Sequence, residues 1–353
     1  MKGNLILEDG TIFQGESFGA EKSITGETVF STGMLGYPEA ITDPSYIGQI
    51  LIATYPIMGS YGVANSKNWE SDGIKISALI VSQYIDTPSH FQSEMSLGEW
   101  LKKEGVPGLI ITDTRLLAQK LRDKGTLLGK IEFTKKIDFY NPDSDNLVAQ
   151  VSTKKIVEIA GKDGKWKNKT IMMIDCGAKR NIIKCLNKRG VKLIIVPWNY
   201  NPFTEKTPIN FDAILISNGP GNPKMADKTI ITIKEILKRK IPILGICLGN
   251  QLLALAAGGE TKKLKFGHRS QNQPCILVGG KRCYITTQNH GFYVSKIPDG
   301  FKNWFINAND GTSEGLMHKK YPFMSVQFHP EAMPGPEDTE WIFDFFLERA
   351  FIN

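Results

Sequence analysis

The sequence predicts an α/β protein with a mixed α/β domain over residues 1–160, a linker over 161–169 and a doubly wound parallel sheet over 170–353. The length of 353 residues is the first observation, since a domain usually holds about 150 residues. The second is a change of pattern: short strands and turns fill the first half, whereas β-branched runs alternate with amphipathic segments in the second. The third is the stretch 161–169, which is polar, contains glycine and lysine, and resembles neither flank.

Composition limits the class of protein. The chain is 41% apolar and 22% charged, values typical of a packed globular protein. It has no apolar window of the roughly 18 residues that a membrane helix needs, and Glu8 and Asp9 interrupt the region where a signal peptide would be apolar. We therefore expect a soluble, cytoplasmic protein without a membrane partner.

The net charge and the cysteine content bear on two further properties, nucleic acid binding and disulfide formation. The net charge of +7 raises the question of nucleic acid binding, but the basic runs lack the interleaved aromatic residues that would stack on bases. We expect no nucleic acid partner. The five cysteines are too few and too scattered for a disulfide framework, so reduced thiols are expected.

The first domain should begin with a hairpin and contain two helices. Apolar runs flank the turn dipeptide Asp9-Gly10, and apolar residues recur at helical spacing further along. The predicted elements are a hairpin of Leu5–Leu7 with Thr11–Phe13, a strand over Ile74–Val81, and helices over Ser96–Glu104 and Thr112–Lys124, the second capped by Thr112 or Asp113.

The second domain should alternate buried strands with helices. The predicted strands are Ile171–Ile174, Val191–Val196, Ala213–Ser217 and Ile243–Ile246, and the predicted helices are Arg180–Arg189, Thr229–Arg239, Gln251–Ala257 and Glu340–Ala350. Sheets of this kind bind ligands at the carboxyl ends of their strands. Functional residues are therefore expected where these strands end.

Cys247 is the candidate nucleophile. It lies where a strand passes through a sharp turn into a helix, and Gly245 and Gly249 flank it two residues away on each side, as a strained turn requires. The helix N-terminus favours a thiolate, and the amide of Leu248 offers an oxyanion donor. The alternative is a small buried apolar residue. Cys176 also follows a strand but lacks the leading glycine, and Cys185, Cys275 and Cys283 are expected to be packing residues.

A cysteine nucleophile needs a base and a group that orients it. His329 follows a predicted strand, Pro330 stiffens the turn, and Glu331 is close enough to hold the imidazole. His290 and His268 are rival bases or metal ligands, but neither has a nearby carboxylate.

Two further features concern ligands. We expect no metal, because paired ligands at short spacing are missing, and no nucleotide site, because no phosphate-binding loop occurs in the sequence. The loop Ser217–Pro223 follows another strand, and its glycine amides could supply a second oxyanion donor opposite that of Leu248.

Three motifs together resemble class I glutamine amidotransferases: GICLGNQ at 245–251, SNGPGNP at 217–223 and QFHPE at 327–331. The segments Thr32–Gln49 and Cys176–Ile182, together with QNHGF and HPEAMPGPED, are similar to the small-subunit family of carbamoyl-phosphate synthetases. The resemblance implies a flavodoxin-like amidotransferase domain after the N-terminal domain.

The resemblance also implies a function. Cys247, His329 and Glu331 would hydrolyse glutamine through a glutamyl thioester, with the oxyanion held by the amides of Gly219 and Leu248. Ammonia would pass to a large synthetase subunit that uses ATP, Mg and bicarbonate, in a heterodimer or higher assembly serving arginine and pyrimidine biosynthesis. The chain itself would carry no cofactor. The residues implied to bind glutamine are Ser45, from the N-terminal domain, and Gly219, Gly221, Leu248, Gln251, Asn289, Gly291 and Phe292.

The sequence departs from the family pattern in two places. Asn250 stands where the family usually has histidine, and the segment Gly267–Pro274 differs from its usual form. Three other hypotheses stay open at this point: the glutaminase subunit of another amidotransferase, a catalytically silent regulatory subunit, and a cysteine hydrolase acting on a different amide.

Overall fold

The computed structural model describes residues 1–204 and 209–352, and the described chain divides into two compact units. The first unit comprises Met1–Asp145 and Leu264–Ser270, and the second comprises Asn146–Lys263 and Gln271–Asn353. Of the predicted domain over 170–353, residues 205–208 and 353 lie outside the described residues.

The first unit is built on a closed barrel. Its strands are β1 (Lys2–Leu7), β2 (Ile12–Ser17), β3 (Ile24–Ser31), β4 (Gln49–Ala53), β5 (Ile57–Met58), β6 (Ala78–Val81), β7 (Gln83–Tyr84), β8 (Gly108–Ile110) and β9 (Leu127–Glu132), and its helices are α1 (Tyr37–Ile41), α2 (Leu97–Lys103) and α3 (Thr114–Lys124). Short 3-10 helices lie at Pro44–Tyr46, Ser66–Asn68 and Pro142–Ser144. The barrel order is β1-β2-β8-β6-β4-β3-β9, and β5 pairs with β7 separately.

Alternate residues of the barrel strands belong to different cores. Ile50 and Ile52 join a cluster with Leu117 and Leu121 of α3, whereas Leu51 joins a cluster with residues of α2. Because successive strand residues point to opposite faces, the strands are covered on both sides.

Local sequence signals account for the termini of several elements in this unit. The predicted hairpin is confirmed, with Ile6 paired to Ile12 across the turn. Ser96 caps α2 in a capping box with Glu99. Of the two predicted caps of α3, Asp113 is the one used: its carboxylate accepts the N–H of Leu116 at 2.8 Å. The strand predicted over Ile74–Val81 is shorter, since β6 begins only at Ala78.

The second unit is built on a large mixed sheet. Its elements are α4 (Val148–Val151), β10 (Val157–Ile159), β11 (Thr170–Asp175), α5 (Arg180–Asn187), β12 (Lys192–Pro197), β13 (Ala213–Ile216), α6 (Asp227–Lys238), β14 (Ile243–Ile246), α7 (Leu248–Ala256), β15 (Glu260–Leu277), β16 (Cys283–Lys296), β17 (Phe301–Asn307), β18 (Ser313–His318), β19 (Phe323–Val326) and α8 (Trp341–Phe351), with a 3-10 helix at Pro223–Met225. The sheet order is β10-β12-β11-β13-β14-β19-β18-β16-β15-β17.

The parallel part of this sheet confirms the predicted doubly wound fold. Strands β12, β11, β13, β14 and β19 are mutually parallel neighbours, and their order along the chain is that of a flavodoxin-like sheet. One face packs on α5 and α8, and the other packs on α6 and α7. The carboxyl ends of β11, β13, β14 and β19 therefore meet at one edge, and the candidate site residues follow these strands.

The stretch 161–169 differs from the predicted linker. The division between the units falls at Asp145 and Asn146, and Trp166 is buried in the core of the second unit against its sheet and α8. A large aromatic side chain packs too much apolar area to stay in a solvated connection. The polar and glycine residues around Trp166 made the segment resemble a linker in the sequence.

No helix in the described ranges combines the length and the apolar composition that crossing a bilayer requires.

Candidate active site

Cys247 lies on a strained turn between β14 and α7. Its φ is 53° and its ψ is −100°, in a region that residues with a side chain rarely adopt. A Cβ added to Gly245 would lie 2.5 Å from the carbonyl oxygen of Gly249, and one added to Gly249 would lie 2.3 Å from that of Ile216. The predicted requirement for two glycines around Cys247 is thus confirmed.

Polar groups surround the sulfur of Cys247, which is buried. The backbone is held by an N–H bond to the carbonyl of Val326 at 2.8 Å. Its thiol donates to the carbonyl oxygen of Asn289 at 3.7 Å, and Gln327 Nε2 donates to the sulfur at 3.7 Å. These polar groups hydrogen-bond the buried sulfur on its donor and its acceptor side.

His329 and Glu331 form a buried pair after β19. The imidazole Nδ1 lies 2.6 Å from Glu331 Oε1, so Nε2 is the ring nitrogen left for another partner. The backbone N–H of His329 donates to the carbonyl of Thr287 at 2.9 Å, which fixes the turn. Lys179 Nζ lies 3.1 Å from Glu331 Oε1. This lysine is 2% exposed, so its charge acts on the carboxylate with little screening.

The charges of these groups depend on one another. Burial lowers the pKa of His329, but the carboxylate of Glu331 and the hydrogen bond and charge of Cys247 outweigh it and raise that pKa above 6.5. Burial raises the pKa of Glu331, but the charges of Lys179 and His329 outweigh it and lower that pKa below 4.5. The pair therefore favours an imidazolium beside a carboxylate, with Cys247 close enough to exchange a proton with the ring.

The predicted oxyanion donors lie on the two sides of this turn. Leu248 begins α7, where helical N–H groups have no partner within the helix. A Cβ added to Gly219 would lie 2.8 Å from the Leu248 side chain and 2.2 Å from the carbonyl of Cys176, so only glycine fits this loop. Asn218 Oδ1 accepts the N–H of Lys179 at 3.0 Å, which pins the loop to the start of α5.

Most residues implied to bind glutamine lie near this turn. Gln251 on α7 donates from Nε2 to the carbonyl of Phe292 at 2.8 Å, and Asn289 and Gly291 belong to β16 with Phe292. Gly221 has a φ of 79°, which the turn of the loop requires. Ser45 lies in the 3-10 helix of the first unit, buried, with its N–H bonded to Asp43. Its part in binding glutamine stays a prediction.

The remaining cysteines differ from Cys247. Burial raises the pKa of the thiols of Cys176, Cys185 and Cys275, which keeps them protonated. The packing role expected of Cys185 and Cys275 is confirmed by their burial, but that expected of Cys283 is wrong, because its side chain is exposed. Strand alternation places Cys283 on the solvent side at the start of β16.

His290 is occupied within its own strand. Its Nδ1 lies 2.8 Å from the carbonyl of Phe292 and its Nε2 lies 3.0 Å from Gln288 Oε1. His268 falls in the segment that groups with the first unit. The expectation that His290 has no nearby carboxylate is wrong, because a carboxylate oxygen of Glu314 lies within 4.8 Å of one of its ring nitrogens.

Sequence reasoning missed Lys179, Gln327 and the role of Asn250. Lys179 lies in the CGAKRNI motif, and Gln327 lies two residues before His329. Both residues therefore belong to motifs that the sequence analysis quoted, but no role was assigned to them. Their burial is the missing information: the side chains of Gln327 and Asn250 have no solvent exposure. A buried amide must find polar partners, which marks it for function or for specificity.

Comparison with known proteins agrees with the two-part organisation. Residues 172–349 match the family Glutamine amidotransferase class-I, and residues 5–131 match the Carbamoyl-phosphate synthase small chain, CPSase domain. The multifunctional protein pyr1-3 of Dictyostelium discoideum is 47% identical over 99% of this chain and 17% of its own length. The mitochondrial carbamoyl-phosphate synthase (ammonia) of Homo sapiens is 46% identical over 98% of this chain and 23% of its own length. The chain thus spans less than a quarter of the length of these curated relatives.

Proposed function

This chain belongs to the class I glutamine amidotransferase family, and on that basis we propose that it is the glutamine-hydrolysing chain of a glutamine-dependent carbamoyl-phosphate synthase. One observation carries the proposal: a cysteine on a strained strand-to-helix turn beside a buried, carboxylate-paired histidine. The match of residues 5–131 to the small-chain domain supports this synthase over other amidotransferases.

The first half of the reaction forms a covalent intermediate. Cys247 gives its proton to His329, and the thiolate attacks the side-chain amide carbon of glutamine. The amides of Gly219 and Leu248 hold the negative charge that develops on the amide oxygen. His329 then returns the proton to the departing nitrogen, the C–N bond breaks, and ammonia leaves a glutamyl thioester on Cys247.

The second half releases glutamate. His329 takes a proton from water, the hydroxyl adds to the thioester carbon, and the C–S bond breaks to restore the Cys247 thiolate. Glu331 stabilises the imidazolium in each half, and Lys179 keeps Glu331 ionised. Glutamine is held by Gln251, by residues of β16 and by the loop with Gly219.

The ammonia serves a synthetase partner. We propose a large subunit, or a region of a longer chain, that combines ammonia with bicarbonate and ATP and requires Mg, with ammonia channelled between the sites. The support is the length of the relatives, which extends far beyond the region matched here. The assembly would be a heterodimer or a higher complex in the cytoplasm, and its product would enter arginine or pyrimidine synthesis.

The direct test compares two nitrogen donors in the purified complex. In the Cys247→Ser variant, synthesis of carbamoyl phosphate from glutamine should fall by at least about 10³-fold, because a serine hydroxyl is a far weaker nucleophile here. Synthesis from ammonium chloride should stay within about twofold, since the partner's chemistry is untouched.

Each other outcome rejects a part of the proposal. Unchanged glutamine-dependent synthesis would indicate a catalytically silent chain, and loss of both activities would indicate a structural role for Cys247. Glutamine hydrolysis without any carbamoyl phosphate in the complex would indicate another amidotransferase. Cys176→Ser serves as the matched control, because Cys176 lies on the corresponding turn after β11 and should leave both activities unchanged.

A further inference from the structure

A chain of buried amides leads to the sulfur of Cys247. Gln327 Oε1 accepts from Asn250 Nδ2 at 2.9 Å and from Gln251 Nε2 at 3.2 Å. Asn250 Oδ1 in turn accepts from Ser325 Oγ at 2.8 Å. The side chains of Ser325, Gln327 and Asn250 have no solvent exposure, and that of Gln251 has 2%. The chain is therefore a closed network whose bonds cannot be replaced by water without a cost.

The direction of each bond follows from a backbone group. The carbonyl of Phe292 can only accept, so Gln251 must turn its Nε2 toward it. The same Nε2 can only donate to Gln327, so Gln327 must present Oε1 on that side. Its Nε2 is then the atom directed at Cys247 Sγ, 3.7 Å away. If the Gln327 amide were flipped, its Nε2 would face two other donors, Asn250 Nδ2 and Gln251 Nε2, and its Oε1 would face the sulfur of Cys247.

This orientation suits a thiolate more than a thiol. As a thiol, Cys247 donates to the carbonyl of Asn289, a bond that ends when the proton leaves. The sulfur anion then needs donors, and the charged group in contact with it is His329, backed by Glu331 and Lys179. The Gln327 N–H adds a neutral donor, and its hydrogen bond strengthens when the acceptor is charged.

We propose that Gln327 is a catalytic residue that donates a hydrogen bond to the charged sulfur of Cys247, and that Asn250 is the positioning residue that keeps the Gln327 amide turned for this. The proposal rests on the proposed function, in which Cys247 is the nucleophile. The role of Asn250 also explains why its position tolerates asparagine: the pattern requires a buried donor toward Gln327 and an acceptor from Ser325, and an imidazole offers both as well.

The test measures the reactivity of the sulfur without glutamine. The complex is prepared in a Cys283→Ser background, because Cys283 is the exposed cysteine, and it is treated with iodoacetamide near neutral pH. The rate of carboxamidomethylation at Cys247 is followed by peptide mass spectrometry. Gln327→Leu removes the donor, and Gln327→Glu keeps the shape but places oxygen against sulfur. Both should react about tenfold more slowly than the parent, since a hydrogen bond to a charged group is lost.

Variants of Asn250 separate positioning from packing. Asn250→Asp keeps the shape but sets a carboxylate oxygen against Gln327 Oε1, which opposes the orientation that Gln251 favours, and the alkylation rate should fall about tenfold. Asn250→His restores a donor and an acceptor, and its rate should return to within about threefold of the parent. In glutamine hydrolysis, kcat should follow the alkylation rates of these variants, whereas KM should change less than about threefold, because none removes a proposed contact with glutamine.

A second buried amide serves as the control for lost stability. Asn307 is 1% exposed and donates to Glu314 at 3.2 Å, within the same unit but without a contact to Cys247. Asn307→Leu should lower the unfolding midpoint while the alkylation rate stays unchanged. Alkylation rates within twofold of the parent in Gln327→Leu and Asn250→Asp would overturn the proposal. If the alkylation rates change as expected but the parent complex does not hydrolyse glutamine, the proposed function fails and the role of Gln327 at the sulfur stands.

Discussion

Two turns of the second unit have the same course and different cysteines. Each follows a strand of the parallel sheet, β11 or β14, and each leads into a helix. At Cys176 the following residue, Gly177, takes the positive φ of 119°, and the carboxylate of Asp175 accepts the N–H groups of Gly177 and Ala178 at 2.9 and 2.8 Å. At Cys247 the cysteine itself takes the positive φ. In the first turn a glycine takes the positive φ without strain, whereas in the second the strained conformation falls on Cys247 itself.

The surroundings of the two sulfurs differ as well. Burial raises the pKa of the Cys176 thiol, and the charge of Asp175 raises it further. Around Cys247 lie an amide donor from Gln327 and the imidazole of His329. A cysteine at the end of a parallel strand is therefore no indication of catalysis by itself; donors and a base at the sulfur make the difference.

Of the substitutions that compare the two turns, removal of the Glu331 carboxylate should lower kcat for glutamine hydrolysis the most. Glu331→Gln leaves His329 without its charged partner, so kcat for glutamine hydrolysis should fall on the order of 10²- to 10⁴-fold, as when the acid of a triad is replaced. Stability should fall by about 3 kcal/mol, because Lys179 is left buried without its carboxylate partner. Stopped-time assays and urea unfolding measure the two effects.

The pH dependence of that stability loss has a definite sign. The lowered pKa of Glu331 stabilises the fold above 4.5, and this contribution is lost as the pH falls through the folded pKa. The raised pKa of His329 stabilises it below 6.5, and this contribution is lost as the pH rises through the folded pKa. The difference between the parent and Glu331→Gln should be greatest from 4.5 to 6.5. A difference that is flat across this range and beyond contradicts the paired state.

The other turn provides the control for this substitution. Asp175→Asn also replaces a buried carboxylate by an amide, but Asp175 serves the backbone of its own turn. We expect lower stability and a kcat within about tenfold of the parent. An equal loss of kcat in both variants would remove the distinction between the two turns.

Substitutions of glycines at the two turns should change kcat less than Glu331→Gln does, but they should also distinguish the turn at Cys247 from the turn at Cys176. A methyl group on Gly249 must displace the backbone of Ile216, so Gly249→Ala should cost about 1–3 kcal/mol of stability and lower kcat about tenfold by moving the Cys247 turn. In Gly177→Ala the methyl group meets Val151 at 2.8 Å and Gly219 Cα at 3.3 Å, with a strained φ; stability should fall, and kcat should fall less than in Gly249→Ala, because the turn at Cys247 keeps its glycines. Thermal unfolding and steady-state kinetics measure both, and Gly280→Ala, in a looser turn, controls for the added methyl group.

Local pattern predicted the regular part of the fold well. The strand β14 has the predicted bounds Ile243–Ile246. A short β-branched run that begins after a proline and ends at a turn is typical of a buried strand. The helix α7 begins at Leu248 rather than at the predicted Gln251, since Gly249 and Asn250 are poor helix formers that burial and close packing hold in place. The antiparallel extension β15–β18 was not predicted, because its pairing depends on contacts between distant segments.

The features of the candidate site also divide into local ones, which the sequence predicts, and contacts between distant residues, which it does not. The spacing of glycines around Cys247 and the position of Glu331 two residues after His329 are local, and the sequence alone predicted them. The partners of Gln327 and Lys179 are remote: Asn250 is 77 residues from Gln327 along the chain. Contacts of this range leave no periodic signal in a single sequence, so they needed coordinates.

We expect Cys247, and not Cys176, to carry the acyl group during glutamine hydrolysis. The complex is mixed with glutamine, quenched in acid within the first turnovers and digested for peptide mass spectrometry. We expect a glutamyl adduct on the peptide with Cys247, sensitive to hydroxylamine and lost in Cys247→Ser. An adduct on the peptide with Cys176, or steady glutamine consumption in Cys247→Ser, would contradict it.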